Sequence, residues 1–149
     1  MRSISYKDWL IEDLKNLQRN RFAIEQIQAE LKTLDARFSA IKATNYDKIP
    51  GGGGTNTQEE KILTAIAKRD ELEADLKATS LHVEDMERLL ETLQEDELTV
   101  IERMFIYRER GAAQKLMTEL GYEKSQVYNI RDRALKNLAQ ARYGKGYRP

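Results

Sequence analysis

The chain has no cysteine and only one histidine in 149 residues, and these shortages exclude several kinds of chemistry. Disulfides, thiolate metal sites and thiol catalysis need cysteine, and a serine–histidine pair would depend on His82 alone. No nucleotide-binding motif is present either. We therefore expect neither an enzyme nor a cofactor.

Long apolar runs are also missing, since no stretch approaches the roughly 20 residues that span a membrane. The N-terminal segment MRSISYKDWLIEDL is too acidic and too interrupted to be a signal peptide. Apolar residues make up 40% of the chain and charged residues 34%, a balance typical of charge-rich helical proteins. These features predict a cytoplasmic protein with no membrane partner.

The net charge is zero, but the charges are unevenly distributed. Residues 1–56 carry a net charge of +2, residues 57–106 carry −8, and residues 107–149 carry +6. Because the local field decides whether phosphates are attracted, the basic C-terminal part is compatible with nucleic-acid binding. Solvated helix faces would explain the same distribution equally well.

The first segment, residues 1–43, has neither proline nor glycine and predicts one long helix. From position 24 onward its apolar residues follow the heptad spacing of a coiled coil. They are Ile24, Ile27, Leu31, Leu34, Phe38 and Ile41. A stripe of this length needs another long helix to cover it.

Residues 44–56 contain a proline and four consecutive glycines, and they predict a flexible loop. Residues 57–93 predict a second long helix, which starts with a capping box of Thr57 and Glu60. The two helices would form an antiparallel hairpin, or the same stripes would build a bundle between chains. The many carboxylates of the second helix indicate a solvated acidic face, because no Glu-x-x-His pair accompanies them.

Residues 94–141 predict three shorter helices, set off from the hairpin by a capping box at Thr92 and Glu95. The first of the three covers residues 97–108, and Gly111 ends this region. The second covers residues 112–120. A basic tail, residues 142–149, closes the chain.

A turn at Gly121 and Tyr122 leads into the third helix, whose apolar residues share one face. They are Val127, Ile130, Ala134, Leu135 and Leu138. A tight turn between two short amphipathic helices, the second rich in amides and arginines, is typical of a helix-turn-helix. Glu123 and Ser125 compete for the N-cap of the third helix.

These three helices resemble region 4, the C-terminal DNA-binding region of bacterial sigma-70 factors. The matching residues are Leu98, Val100, Ile101 and Phe105 in the first helix, Leu116, Leu120 and Gly121 in the second, and the five apolar residues of the third. The run SQVYNIRDRALKNL is similar to the recognition helix of that family, which ends in Ala-Leu-x-x-Leu. Together with the long N-terminal helices and the Pro/Gly loop, this ending resembles small phage-encoded late-gene regulators of the RinA/ArpU type.

The predicted fold is therefore all-α, with a long two-helix antiparallel coiled-coil hairpin followed by a three-helix, sigma region 4-like helix-turn-helix domain. The resemblance places six residues at the DNA-facing positions of the family: Lys124, Ser125, Gln126, Tyr128, Asn129 and Arg133. Their chemistry agrees, since Gln126 and Asn129 suit adenine and Arg133 suits guanine or a phosphate. Ser125 suits a phosphate and Tyr128 a thymine methyl group.

The resemblance implies a sequence-specific transcriptional regulator of phage or prophage genes in the cytoplasm of a bacterial host. Its expected partners are double-stranded DNA, further copies of the chain with a dimer favoured, and host RNA polymerase. Two alternatives remain open: a DNA-packaging protein like a small terminase subunit, and a structural coiled-coil adaptor that does not bind DNA.

Overall fold

The computed structural model describes residues 5–46 and 55–144. All regular secondary structure in these two stretches is helical, which confirms the predicted all-α class. Residues 47–54 of the predicted loop and residues 145–149 of the predicted tail lie outside the described residues. Among the described helices, none carries an apolar stretch of the length that a lipid bilayer requires.

Two long helices come first, α1 over Tyr6–Tyr46 and α2 over Thr55–Leu90. Ser5 and Asp8 cap the start of α1 reciprocally. The Ser5 hydroxyl accepts the backbone N–H of Asp8 at 3.3 Å, and the Asp8 carboxylate accepts the backbone N–H of Ser5 at 3.1 Å. This pair satisfies two amide groups that a helix end leaves without partners. The predicted start of the second helix at Thr57 lies within the first turn of α2.

The described residues form two compact units, one of residues 5–20 with 82–144 and the other of residues 21–46 with 55–81. In the first unit, one face of α1 is completely buried at Leu10, Leu14 and Leu17. Asp13 interrupts that stripe, and its carboxylate lies 2.5 Å from the Arg142 guanidinium, which compensates its charge.

Three further helices complete this first unit. They are α3 over Glu95–Ile101, α4 over Ala112–Leu120 and α5 over Lys124–Tyr143. A single π-helical turn, Glu102–Ile106, continues α3, and Gly111 occupies the N-cap position of α4. The predicted helix over residues 97–108 therefore starts two residues too late and misses the π-helical turn.

The three helices share one hydrophobic core. Its centre consists of Val100 from α3, Leu116 from α4, and Val127 and Ile130 from α5. Met104, Ala113, Met117 and Tyr122 pack against this centre. Burial of these side chains from three helices is the main force that holds them together.

The capping box predicted at Thr92 and Glu95 is wrong. The Thr92 hydroxyl instead donates to the carbonyl of Leu89 at 2.7 Å, which keeps it at the end of α2. The capping box belongs to Gln94 and Glu97, two residues later, where the Gln94 N–H donates to the Glu97 carboxylate at 3.1 Å.

The second unit contains the remaining parts of α1 and α2. Among its described apolar residues, only Leu72 is buried. Asp35 of α1 forms an ion pair of 3.3 Å with Arg69 of α2. Phe38 of α1 and Ile66 of α2 line the same open pocket.

Candidate nucleic-acid interface

The turn between α4 and α5 is short and built by three residues. Gly121 ends α4 with φ +68°, a left-handed conformation that suits glycine because it has no Cβ. Tyr122 folds back against the core, and Glu123 occupies the N-cap position of α5 with extended dihedral angles. Of the two residues competing for this position, Glu123 holds it, although its side chain makes no capping hydrogen bond.

The two faces of α5 differ sharply in exposure. The five residues predicted to face inward, Val127, Ile130, Ala134, Leu135 and Leu138, are buried, with at most 4% of each side chain exposed. Ala139 is buried with them. The helix is therefore anchored along its whole apolar face, which fixes the direction of its polar face.

Four of the six predicted DNA-facing residues are exposed at the start of α5. Lys124, Ser125 and Gln126 form the first turn, and Asn129 follows one turn after Ser125 and Gln126. The structure thus brings a cation, a hydroxyl and two carboxamides to one end of one helix. These groups suit the edges of base pairs and the oxygen atoms of phosphates.

Tyr128 is placed differently from those four. It is half-buried, and the guanidinium of Arg131 lies 4.7 Å from the centre of its ring. Arg131 also forms an ion pair of 2.8 Å with Asp132. Tyr128 therefore lies at the border between the buried and exposed faces, with a cation already stacked on it.

Arg133, the last of the six, binds carboxylates at the start of α3. Its guanidinium lies 2.8 Å from the Asp96 carboxylate and 3.4 Å from that of Glu97. The pKa of Arg133 lies above its ordinary value, mainly because Arg133 hydrogen-bonds to Asp96. In this structure Arg133 ties α5 to α3, and about half of its side chain stays exposed.

Sequence reasoning did not identify three other residues on the exposed face of α5. Lys136 and Gln140 continue the line of Gln126, Asn129 and Arg133 at helical spacing, so periodicity alone would have indicated both. Asn137 is also exposed, and its side-chain amide donates to Glu97 at 2.9 Å. Nothing in the local sequence indicates that contact.

Arg103 of the π-helical turn binds two carboxylates, one before α4 and one within it. Its guanidinium donates to the Glu109 carboxylate at 2.9 Å and forms a forked pair with Glu119 near the end of α4. Hydrogen bonding to Arg103 lowers the pKa of Glu119, and hydrogen bonding to Glu119 raises the pKa of Arg103. The single positive charge of Arg103 thus offsets part of the negative charge of two carboxylates.

Several cations of this region make no ion pair within the part of the chain that the structure describes. They are Arg108, Arg110, Lys115, Lys124 and Lys136, and all five are exposed. The net charge of +6 over residues 107–149 thus leaves exposed positive groups beside α4 and α5 after the ion pairs are taken into account. Such groups attract phosphates at low salt.

In the described residues, no group of three or more histidine, aspartate or glutamate side chains is arranged to hold a metal ion. Comparisons with protein-family models, with curated proteins and with solved structures found no match.

Proposed function

We propose that this protein is a sequence-specific, double-stranded DNA-binding transcriptional regulator of phage or prophage genes, acting as a homo-oligomer through α1 and α2. One observation carries the proposal. The three-residue turn at Gly121–Glu123 leaves the first turns of α5 exposed while the other face of the helix is fixed in a three-helix core. That is the arrangement by which a helix-turn-helix presents its recognition helix.

The dimensions of α5 support a major-groove site. An α-helix with its side chains is about 10–12 Å wide, and the major groove of B-DNA is about 12 Å wide. Gln126 and Asn129 lie one turn apart on the exposed face, so both reach the same groove. Each carboxamide can pair with N6 and N7 of adenine, and we assign base reading to these two residues.

Positioning on the phosphate backbone is assigned to the start of α5. The Glu123 side chain makes no capping hydrogen bond, which leaves the first amides of the helix for a phosphate oxygen. Ser125 and Lys124 add a hydroxyl and a positive charge beside them. We also propose that this unit contacts host RNA polymerase, since the chain resembles only one region of a sigma factor.

Oligomerisation is assigned to the long helices. The ion pair of 3.3 Å between Asp35 of α1 and Arg69 of α2 supports an antiparallel coiled-coil hairpin as the unit that associates. A single helix-turn-helix reads few base pairs, and joining two of them raises avidity by roughly a hundredfold or more. A homo-oligomer would therefore bind a specific site more tightly than a single chain.

The test starts from duplexes selected by the protein from a random-sequence library, because the operator is unknown. Asn129→Ala and Gln126→Ala are expected to weaken binding of the selected duplex by about 1–3 kcal/mol, roughly 5- to 150-fold. Gln28→Ala is the matched control, since Gln28 is an exposed carboxamide on α1, away from α5 in the sequence. Fluorescence anisotropy measures the affinities, and circular dichroism checks that helix content is unchanged.

Two results would contradict the proposal. If the library yields no enriched duplex and no DNA is retained even at low salt, where phosphate contacts are strongest, the chain is a structural adaptor. If DNA binds but Asn129→Ala and Gln126→Ala bind as tightly as the control, another surface reads the bases.

A further inference from the structure

The unit of residues 21–46 and 55–81 leaves most of its apolar surface uncovered. Leu72 is its only buried apolar residue among those described, although α1 and α2 both carry heptad stripes here. On α2, Leu63 and Ile66 remain 65% and 43% exposed. In the other unit, Leu10, Leu14 and Leu17 of α1 are completely buried. Apolar residues of this helix can therefore be covered, although those of the present unit are not.

The uncovered surface has a definite centre on one side of the helix pair. Phe38 and Ile41 of α1 and Ile62 and Ile66 of α2 line an open groove of about 440 Å³, which we call the isoleucine groove. Such a groove on a helix pair is the usual site for a further helix pair in a four-helix bundle.

Four charged residues line the isoleucine groove, and two of them, Arg69 and Glu73, form an ion pair of 3.3 Å with each other. The other two, Lys42 of α1 and Asp70 of α2, make no ion pair within the described part of the chain. The ion pair between Asp35 and Arg69 places these two residues at about the same level along the two helices. Lys42 lies seven residues beyond Asp35, about 10 Å along the axis, so Lys42 and Asp70 are about 12 Å apart along the helix pair.

Ile66 lies midway between those two charges. It precedes Arg69 by three residues, which places it about 4.5 Å from the level of Asp35 in the direction of Lys42. A two-fold axis can therefore pass beside Ile66, perpendicular to the helices. Such an axis brings Lys42 of one copy to the level of Asp70 of the other. A face with this pattern is complementary to itself, as a two-fold interface requires.

The groove on the other side of the same helix pair lacks this property. It is lined by the cations Arg37, Lys61 and Lys68 and by one acidic residue, Glu60. If two copies of this face packed together, the cations of one copy would lie opposite the cations of the other, which is unfavourable in a closely packed interface. Charge therefore selects one side of the helix pair.

We propose that the isoleucine groove is the dimer interface of the protein and that its occupant is the same groove of a second copy. Ile66 meets its counterpart near the two-fold axis, and Lys42 of each copy pairs with Asp70 of the other. The four helices then form an antiparallel bundle that covers Phe38, Ile41 and Ile62. The inference rests on the oligomer part of the proposed function and needs no DNA.

The absence of cysteine from the chain makes a direct test simple. Ile66→Cys places one thiol per chain near the axis, and mild oxidation is expected to join two chains, because a disulfide needs Cα atoms about 4.4–6.8 Å apart. Thr64→Cys is the matched control, since Thr64 is exposed on α2 and lines the opposite groove. Equal cross-linking of both variants, or none with Ile66→Cys, overturns the proposed axis.

Charge reversal supplies a second, independent measurement. Lys42→Glu and Asp70→Lys, each alone, put like charges opposite each other twice per dimer and are expected to raise the dimer dissociation constant about tenfold. The double variant restores opposite charges and is expected to return the constant to within about threefold of the wild type. A double variant as weak as the singles overturns the pairing.

The mass of the wild type in solution decides the oligomeric state. Native mass spectrometry is expected to give twice the chain mass of 17.3 kDa. A monomer, or a ring of eight or more chains, overturns the inference. A dimer that retains no DNA would remove the proposed function and leave this interface standing. A DNA-binding monomer would remove this interface and the oligomer part of the proposed function but leave its DNA-binding part.

Discussion

Glu97 on α3 and Asn137 on α5 are joined by a hydrogen bond of 2.9 Å between the Glu97 carboxylate and the Asn137 side-chain amide. Glu97 is only 2% exposed, and its other carboxylate oxygen accepts the backbone N–H of Gln94 at 3.1 Å. A buried carboxylate is tolerated when such bonds replace water. One side chain thus caps α3 and binds α5.

Replacement of Glu97 by alanine is expected to lower the free energy of unfolding by about 2–3 kcal/mol. The variant loses a helix cap worth about 1 kcal/mol and a hydrogen bond to a charged group worth about 1.5 kcal/mol. Urea denaturation followed by circular dichroism measures the loss. Glu95→Ala is the control, because Glu95 is exposed in the same turn and should change stability by less than about 0.5 kcal/mol. Equal losses would contradict the role of Glu97.

Helical spacing in the sequence was enough to predict which residues of α5 are buried. Val127, Ile130 and Ala134 recur at intervals of three and four residues, and a helix with that pattern has one apolar face whatever it packs against. The same reasoning explains why the long helices and the turn at Gly121 were predictable. These are local properties of a chain whose period and glycine positions are visible in the sequence.

Contacts between distant residues were not predictable in this way. The polar face of α5 indicates that Arg133 is exposed, but not that Asp96, thirty-seven residues earlier, holds its guanidinium. The π-helical turn at Glu102–Ile106 leaves no periodic signal either, and it places Arg103 where it binds Glu119, sixteen residues later. Both features depend on how helices pack, which spacing does not encode.

Acid is expected to weaken the contact between Arg103 and Glu119. The pKa of Glu119 lies below its ordinary value of 4.5 because Arg103 bonds to the charged form. Its stabilising contribution is therefore complete above that value and is lost as the pH falls through the lower pKa of the folded state. Thermal unfolding between about pH 6 and pH 3 should show a shallower decline for Glu119→Gln than for the wild type. Glu91→Gln, which changes an exposed carboxylate of the same unit, should follow the wild type.

The left-handed conformation of Gly121 predicts a specific order of stabilities. A Cβ at this position would meet no atom within 4 Å, so a substitution is opposed by backbone strain alone. Gly121→Ala should lower the free energy of unfolding by about 1 kcal/mol. Gly121→Asn should cost less, because asparagine tolerates this region better than alanine. Urea denaturation of both variants tests the order, and an asparagine variant less stable than the alanine variant would contradict it.

The packing of α4 on its neighbours can be tested with two leucines of that helix. Leu116 has no exposed surface, and its replacement by alanine is expected to cost about 2–5 kcal/mol because a cavity remains in the shared core. Leu120 is 41% exposed, and Leu120→Ala should cost less than about 1 kcal/mol. Unfolding by urea, followed by circular dichroism, measures both. Similar values for the two variants would show that α4 does not pack as described.

Arg133 offers a way to separate a contact with DNA from a contact within the protein. Arg133→Ala is expected to weaken binding to the selected duplex by about 1–3 kcal/mol, as the loss of one base or phosphate contact does. Asp96→Ala removes the carboxylate 2.8 Å from the guanidinium but leaves the arginine in place. If Arg133 binds DNA, Asp96→Ala should bind at least as tightly as the wild type, because the guanidinium then has one competitor fewer. If Arg133 only holds α5 against α3, Asp96→Ala should also weaken binding, but less than Arg133→Ala, because the contact of 3.4 Å between Arg133 and Glu97 remains. Anisotropy at matched salt decides between the two, and circular dichroism confirms that both variants stay helical.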